Sequence, residues 1–118
     1  MKITKIYHDQ DGESHFEEIE VDLHKVGLGQ RSSPIPVQSL IFRETPGPYS
    51  QGWHCAPEIQ YVILLSGEVQ VEVSDGTCKK FTAGDILLAA DTKGKGHKTS
   101  TLSSGIRHSL FIPVNKLT

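Results

Sequence analysis

Trp53-His54-Cys55-Ala56-Pro57 opens the decisive stretch of the chain, and Asp91-Thr92-Lys93-Gly94-Lys95-Gly96-His97 closes it. Between them lie short apolar segments separated by turn signals. Ile59 to Leu65 is nearly all apolar and β-prone, the composition of a central strand covered on both faces. Ser66-Gly67 turns the chain. Val69, Val71 and Val73 then alternate with Gln70 and Glu72, the period-2 pattern of a half-buried strand. Asp75-Gly76 is a two-residue hairpin signal, because a type I′ turn needs φ > 0 at both central positions. Thr77 to Phe81 returns, Ala83-Gly84-Asp85 turns again, and Ile86 to Ala89 is another short apolar strand. Two histidines thus sit at opposite ends of a compact β run, which can bring them together inside a barrel.

Working outward, His97 to Leu102 and Ile106 to Val114 read as the last two strands, joined by Ser103-Ser104-Gly105. Towards the N-terminus, Val37 to Glu44 reads as a strand that Thr45-Pro46-Gly47-Pro48 ends, since proline cannot donate to a ladder. Gly27 to Pro36 holds two Gly, two Ser and two Pro and reads as a loop. Glu17 to Leu23 alternates acidic and apolar residues and reads as an edge strand, and residues 1–16 as polar and irregular. About eight short strands with no helix predict an all-β barrel, sandwich or jelly roll.

The 118 residues fit one domain with a hydrophobic core of its own, with no linker or internal repeat dividing them. A formal net charge of −2 with no basic stripe argues against a nucleic-acid partner. No apolar run approaches the length of a membrane span. The N-terminus lacks an apolar signal core, and Cys55 and Cys78 make no disulfide framework, so a cytoplasmic location is expected.

His54, the Gly67-Glu68-Val69 turn, Phe81-Thr82-Ala83-Gly84-Asp85-Ile86-Leu87 and His97 together resemble a small single-domain cupin. The resemblance covers residues 37–114, with residues 1–36 as an N-terminal arm and edge strand. It implies a double-stranded β-helix (jelly-roll) barrel, a homodimer, and an interior that commonly holds a divalent metal, with Fe, Mn, Ni or Zn as candidates. The family's ligands come from HxHxxxE, separated from a glycine by six residues, and from a histidine of a second motif. Counting back from Gly67 puts His54 at the first position, Ala56 at the second and Gln60 at the acid. One histidine is absent and the acid is an amide. A second register makes Glu58 the acid but lengthens the spacing to Gly67 by two. The first register keeps the glycine spacing and is preferred. In the second motif, Gly84 to His97 is two residues longer than the family's spacing, and Ala90-Asp91-Thr92 replaces Pro-x-Gly.

The expected ligand-binding residues are therefore His54, Gln60 and His97, with Glu58 and Asp91 at the edge. His54, Gln60 and His97 are the metal-ligand candidates, and Asp91 either adds an oxygen or orients a histidine. With a metal, enzyme chemistry on a small polar or carbonyl-bearing molecule follows. Without one, the pocket binds or senses a sugar or organic acid, and either histidine can still act as an acid–base group. A vestigial pocket in a purely structural protein is the third reading. His8, His15 and His24 read as surface groups, and His108 as a core or rim histidine. Arg43 is read first as an exposed ion-pair partner, and second as an anchor for an anionic substrate. Trp53 either stacks on a ligand, caps the barrel mouth or packs at a dimer interface. The apolar outward face of Ile59 to Leu65 needs a cover, which again points to a homodimer.

Overall fold

The computed structural model describes residues 1–114; residues 115–118 of the expected single domain lie outside the described residues. It contains twelve strands: β1 (Lys2–His8), β2 (Ser14–Glu20), β3 (His24–Val26), β4 (Gly29–Arg31), β5 (Ile41–Pro46), β6 (Tyr49–His54), β7 (Gln60–Ser66), β8 (Glu68–Val73), β9 (Cys78–Thr82), β10 (Ile86–Ala89), β11 (His97–Thr101) and β12 (Ile106–Pro113). A six-stranded sheet runs β2-β1-β10-β7-β12-β5, and a four-stranded sheet runs β6-β11-β8-β9. Among the described residues no helix is long and apolar enough to cross a membrane.

The all-β expectation holds, and β7 is the central strand expected at Ile59 to Leu65, flanked by β10 and β12. Asp75-Gly76 lies in the β8–β9 hairpin, but not as the expected type I′ turn: Gly76 has φ +95° and its amide donates to the Val73 carbonyl, whereas among the described residues no residue other than glycine, Asp75 included, has positive φ. The N-terminal reading needs correction. Residues 1–16 are not irregular: β1 lies inside the large sheet, parallel to β10 and antiparallel to β2. Its Ile3, Thr4 and Ile6 are buried. Lysines and a threonine hide the strand in the sequence, because its period-2 apolar signal is carried by few residues. Gly29–Arg31 is also strand rather than loop, forming with β3 a small exposed hairpin. β5 begins later than expected, at Ile41, and extends through Pro46. β6 was not anticipated; Tyr49–His54 pairs with β11 as the edge of the small sheet. Ser50, Gln51 and Gly52 carry no hydrophobic period by which to see it.

The inner faces of the two sheets enclose the core. Ile6, Leu64, Val71, Val73, Phe81 and Leu87 form one buried cluster, with Phe16 packed against it. This cluster fills the space towards β2 and β9. Towards β5 and β6 the same space stays open as a cavity of about 540 Å³. That volume lies within the range of small-molecule sites.

Candidate functional site

Alternation along each strand decides what faces the cavity. On β12, Arg107, Ser109 and Phe111 line it; on β5, Ile41, Arg43 and Thr45 do. These residues pair across the strands as Arg107 with Thr45, Ser109 with Arg43 and Phe111 with Ile41. His108 therefore points to the outer face. There it hydrogen-bonds Ser66 Oγ (2.8 Å) and Glu44 Oε2 (3.0 Å), half-exposed and away from the cavity. It is not a core histidine.

His54 ends β6 and His97 begins β11, and the two are register partners. Their ring centroids lie 4.4 Å apart and both rings line the cavity. The Nδ1–H of His97 donates to Asp91 Oδ2 at 2.6 Å, and that of His54 to the Gly52 carbonyl at 2.8 Å. A carboxylate and a carbonyl can only accept, so the hydrogen-bond network assigns the proton to Nδ1 in both rings. Each imidazole is left with Nε2 as its free position.

The loop that delivers His97 is tightly specified. Gly96 has φ +75°, and a Cβ there would meet the His54 carbonyl oxygen at 2.1 Å, so only glycine fits. Ser14 Oγ, on β2, donates to the Gly96 carbonyl at 2.6 Å and accepts from the Ser74 amide at 2.7 Å. The Lys95 amide donates to the Gly12 carbonyl, and the Lys95 ammonium pairs with Glu13. That pair raises the lysine's pKa and lowers the glutamate's. The Ala56 amide donates to the Asp91 carbonyl and ties the segment after His54 to the same loop. The N-terminal turn, within the stretch expected to be polar and irregular, is thus the buttress of the histidine pair.

Gln60 is buried at the start of β7 and lines the cavity. Asp91 is fully buried behind His97; it orients the ring and is not on the cavity wall. Glu58 is exposed in the β6–β7 connection and does not line the cavity, because residues 55–59 are not extended and strand parity does not carry through them. The second register is therefore not realised. Trp53 is also absent from the cavity wall and lies under the Lys98 ammonium, 4.8 Å from the ring centroid. Cys55 is turned away too, its thiol donating to the Gly94 carbonyl. Arg43, read first as an ion-pair partner, instead packs on the Phe111 ring at 4.4 Å. Arg107, Tyr49 and Ser109 also line the cavity, and the sequence reading did not single them out. Alternation from Ser109 along β12 is the signal that locates Arg107.

The donor set decides how well a metal fits. A resident divalent transition metal is held by three or four strong donors. Here two imidazole Nε2 atoms and the neutral amide of Gln60 line the cavity. Among the described residues no group of three or more His, Cys, Asp and Glu side chains is placed to hold a metal. The set does not fit a tightly held metal, and no step of chemistry is routed through one.

No family model matches the chain, and no curated protein matches it. Solved structures do. A cupin domain of Cnp3 from Schizosaccharomyces pombe is 13% identical over 97% of this chain and 84% of its own, with a TM-score of 0.53. An RmlC-like cupin family protein with a double-stranded β-helix fold from Methanocaldococcus jannaschii is 12% identical over 81% and 91%, with a TM-score of 0.53. A cupin domain from Bordetella pertussis is 17% identical over 72% and 100%, with a TM-score of 0.50. At such identities the likeness shows the fold: this is a small protein with the cupin fold.

Proposed function

We propose that this cupin-fold protein binds a small organic molecule in the cavity between its sheets, with His54 and His97 facing the ligand's polar end. The observation that carries the reading is the histidine pair itself. Both Nδ1 protons are held from behind, which fixes the rings and presents two Nε2 atoms to one cavity. Fixed orientation of a pair of this kind is what ligand recognition needs. A vestigial pocket gives no reason for the Asp91–His97 bond, the obligatory Gly96 or the Ser14 brace.

The same geometry supports chemistry as a second reading. A neutral imidazole Nε2 accepts a proton from a carbon or hydroxyl beside a carbonyl, and the imidazolium so formed returns it to the substrate. Asp91 stabilises the imidazolium that forms on His97. The test is a ligand-observed NMR screen of hydroxy and keto acids against the wild type and the His54→Ala/His97→Ala variant. Binding weakened in the variant is expected; no binder at millimolar concentration contradicts the reading. Elemental analysis of freshly purified protein addresses the metal. Substoichiometric Fe, Mn, Ni and Zn is expected in both proteins. Near-stoichiometric metal lost in the double variant would make the cavity a metal centre.

The working state we propose is a homodimer in the cytoplasm. The support is a row of apolar side chains, Phe42, Leu110, Ile63 and Ile86, paired across β5, β12, β7 and β10 on the outer face of the large sheet. Phe42 is 77% exposed and Leu65, on the same face, 52%. Burying such a face against a second copy removes it from water. The free thiols of Cys55 and Cys78 suit a reducing compartment.

A further inference from the structure

The cavity has a second polar end that the histidine reading does not use. Arg107 crosses from the large sheet to the small one. Its guanidinium donates to Tyr49 Oη at 2.8 Å and to Thr101 Oγ1 at 3.3 Å. Arg43 stands two register pairs along, opposite Ser109 and over the Phe111 ring. Among the described residues neither guanidinium lies within ion-pair distance of a carboxylate. Asp85, the carboxylate on the cavity wall, is committed to the Thr82 amide and hydroxyl. Between the two arginines lies Ser109, only 3% exposed, whose hydroxyl has no hydrogen-bond partner. The partly buried charge of Arg107 and the orphaned buried hydroxyl of Ser109 are both unfavourable unless something supplies an acceptor, while Arg43 is exposed at the rim beside them.

Resting on the reading of the cavity as a ligand site, we infer that Arg43, Arg107 and Ser109 form a carboxylate-binding subsite, and that the ligand is an organic acid. The planar guanidinium matches a carboxylate bidentately. Tyr49 and Thr101 hold the Arg107 fork in place, and its remaining N–H groups are free to donate. Thr101 lies four residues from His97 on β11, about 13 Å at the rise of a strand. The wall between is apolar on one side, with Val62, Val71 and Phe111 on it, and polar along β6 and β11, where Gln51 and Thr99 line it. The occupant therefore carries its acid at one end, a body with an apolar face, and an oxygen function at the histidines.

Isothermal titration with octanoate and octanamide tests this, on the wild type, Arg107→Gln, Arg43→Gln, Ser109→Ala and His54→Ala/His97→Ala. Octanoate should bind the wild type at least about tenfold more tightly than octanamide, and the arginine variants should each lose about tenfold or more. Arg107→Lys should recover part of the loss. The histidine variant should still bind octanoate, because its carboxylate is held at the other end. Equal affinity for octanoate and octanamide, or full affinity in both arginine variants, overturns the subsite and leaves the cavity a ligand site. Inorganic phosphate displacing octanoate at equal concentration overturns the assignment to a carboxylate. No binding of either probe, with no response from cavity residues, overturns the cavity reading and the subsite together. The wild-type comparison of acid with amide stands even where a variant fails to fold.

Discussion

His97 illustrates how much a single side chain depends on groups outside the cavity. Its Nδ1–H reaches a carboxylate that is itself fully buried. Asp91→Ala leaves that N–H without an acceptor inside the protein, which should destabilise the fold by about 1–3 kcal/mol. The checks are urea unfolding and loss of the fixed Nδ1–H signal from the His97 ring. Gly96→Ala should be at least as damaging as a typical strained substitution, about 1–3 kcal/mol, because a Cβ meets the His54 carbonyl in a left-handed backbone position. Gly29→Ala, where nothing lies within 4 Å and φ is not positive, should be nearly neutral and is the control. At this scale the sequence was informative about identity and less so about role. His54 and His97 were legible as cavity residues because they bracket the strand pattern, and Gln60 because the cupin-like spacing counts back to it from Gly67. Asp91 was legible only as ligand or orienter, since a loop residue's direction is not written in its spacing. Glu58 was misplaced because the second register put the acid of the motif in a segment that bends away from the cavity.

The N-terminal hairpin of β1 and β2 acts on the site as an element. His15 lies between two carboxylates, Nε2 at 2.7 Å from Asp9 and Nδ1 at 2.8 Å from Asp75. It clips the start of β2 to the β8–β9 hairpin, beside the Ser14 brace on the His97 loop. The hydrogen bond to Asp9, then that to Asp75, raises the pKa of His15 above its ordinary 6.5. The bond to His15 holds Asp9 below its ordinary 3.8, and the Thr77 bonds, followed by His15, do the same for Asp75. The raised histidine contributes stability in full below pH 6.5 and loses it as pH rises through the folded value. The depressed carboxylates contribute above pH 3.8 and lose it as pH falls through theirs. The clip is thus strongest between those limits. Urea unfolding of the wild type and His15→Gln should differ more at pH 5.5 than at pH 9; the same difference at both would show that the clip carries no charge. The sequence showed β7, β8 and β10 by their apolar residues and β9 by the turn signals on either side of it. It did not show β1, whose burial comes from pairing with β10, more than eighty residues away, nor β6, whose side chains are polar because they face a cavity rather than a core.

At the scale of the molecule, two sheets are packed tightly on one side and held apart on the other. Phe16, Phe81 and their neighbours fill the first side, and arginines, histidines and a glutamine line the second. Polar residues on an inner sheet face are a departure from the pattern of a stable core, and such departures mark functional sites. The other departure is the apolar outer face around Phe42. If a second copy covers it, Phe42→Asp with Leu65→Asp should convert a dimer to a monomer in light scattering at micromolar concentration, with the β-sheet circular dichroism kept. A wild type that is already monomeric would refute the dimer. The jelly-roll class was legible from the order of apolar runs and turns, and the partner remains a matter of surface rather than of pattern.

The most direct single measurement is a long-range 1H–15N correlation spectrum of the histidine rings at pH 8, with and without 8-hydroxyoctanoate. His54 and His97 should each show a protonated Nδ1 and a bare Nε2, and both Nε2 signals should move on saturation while that of exposed His24 stays still. A protonated Nε2 on either ring, or two Nε2 signals unmoved at saturation, would contradict a cavity in which this pair receives the ligand.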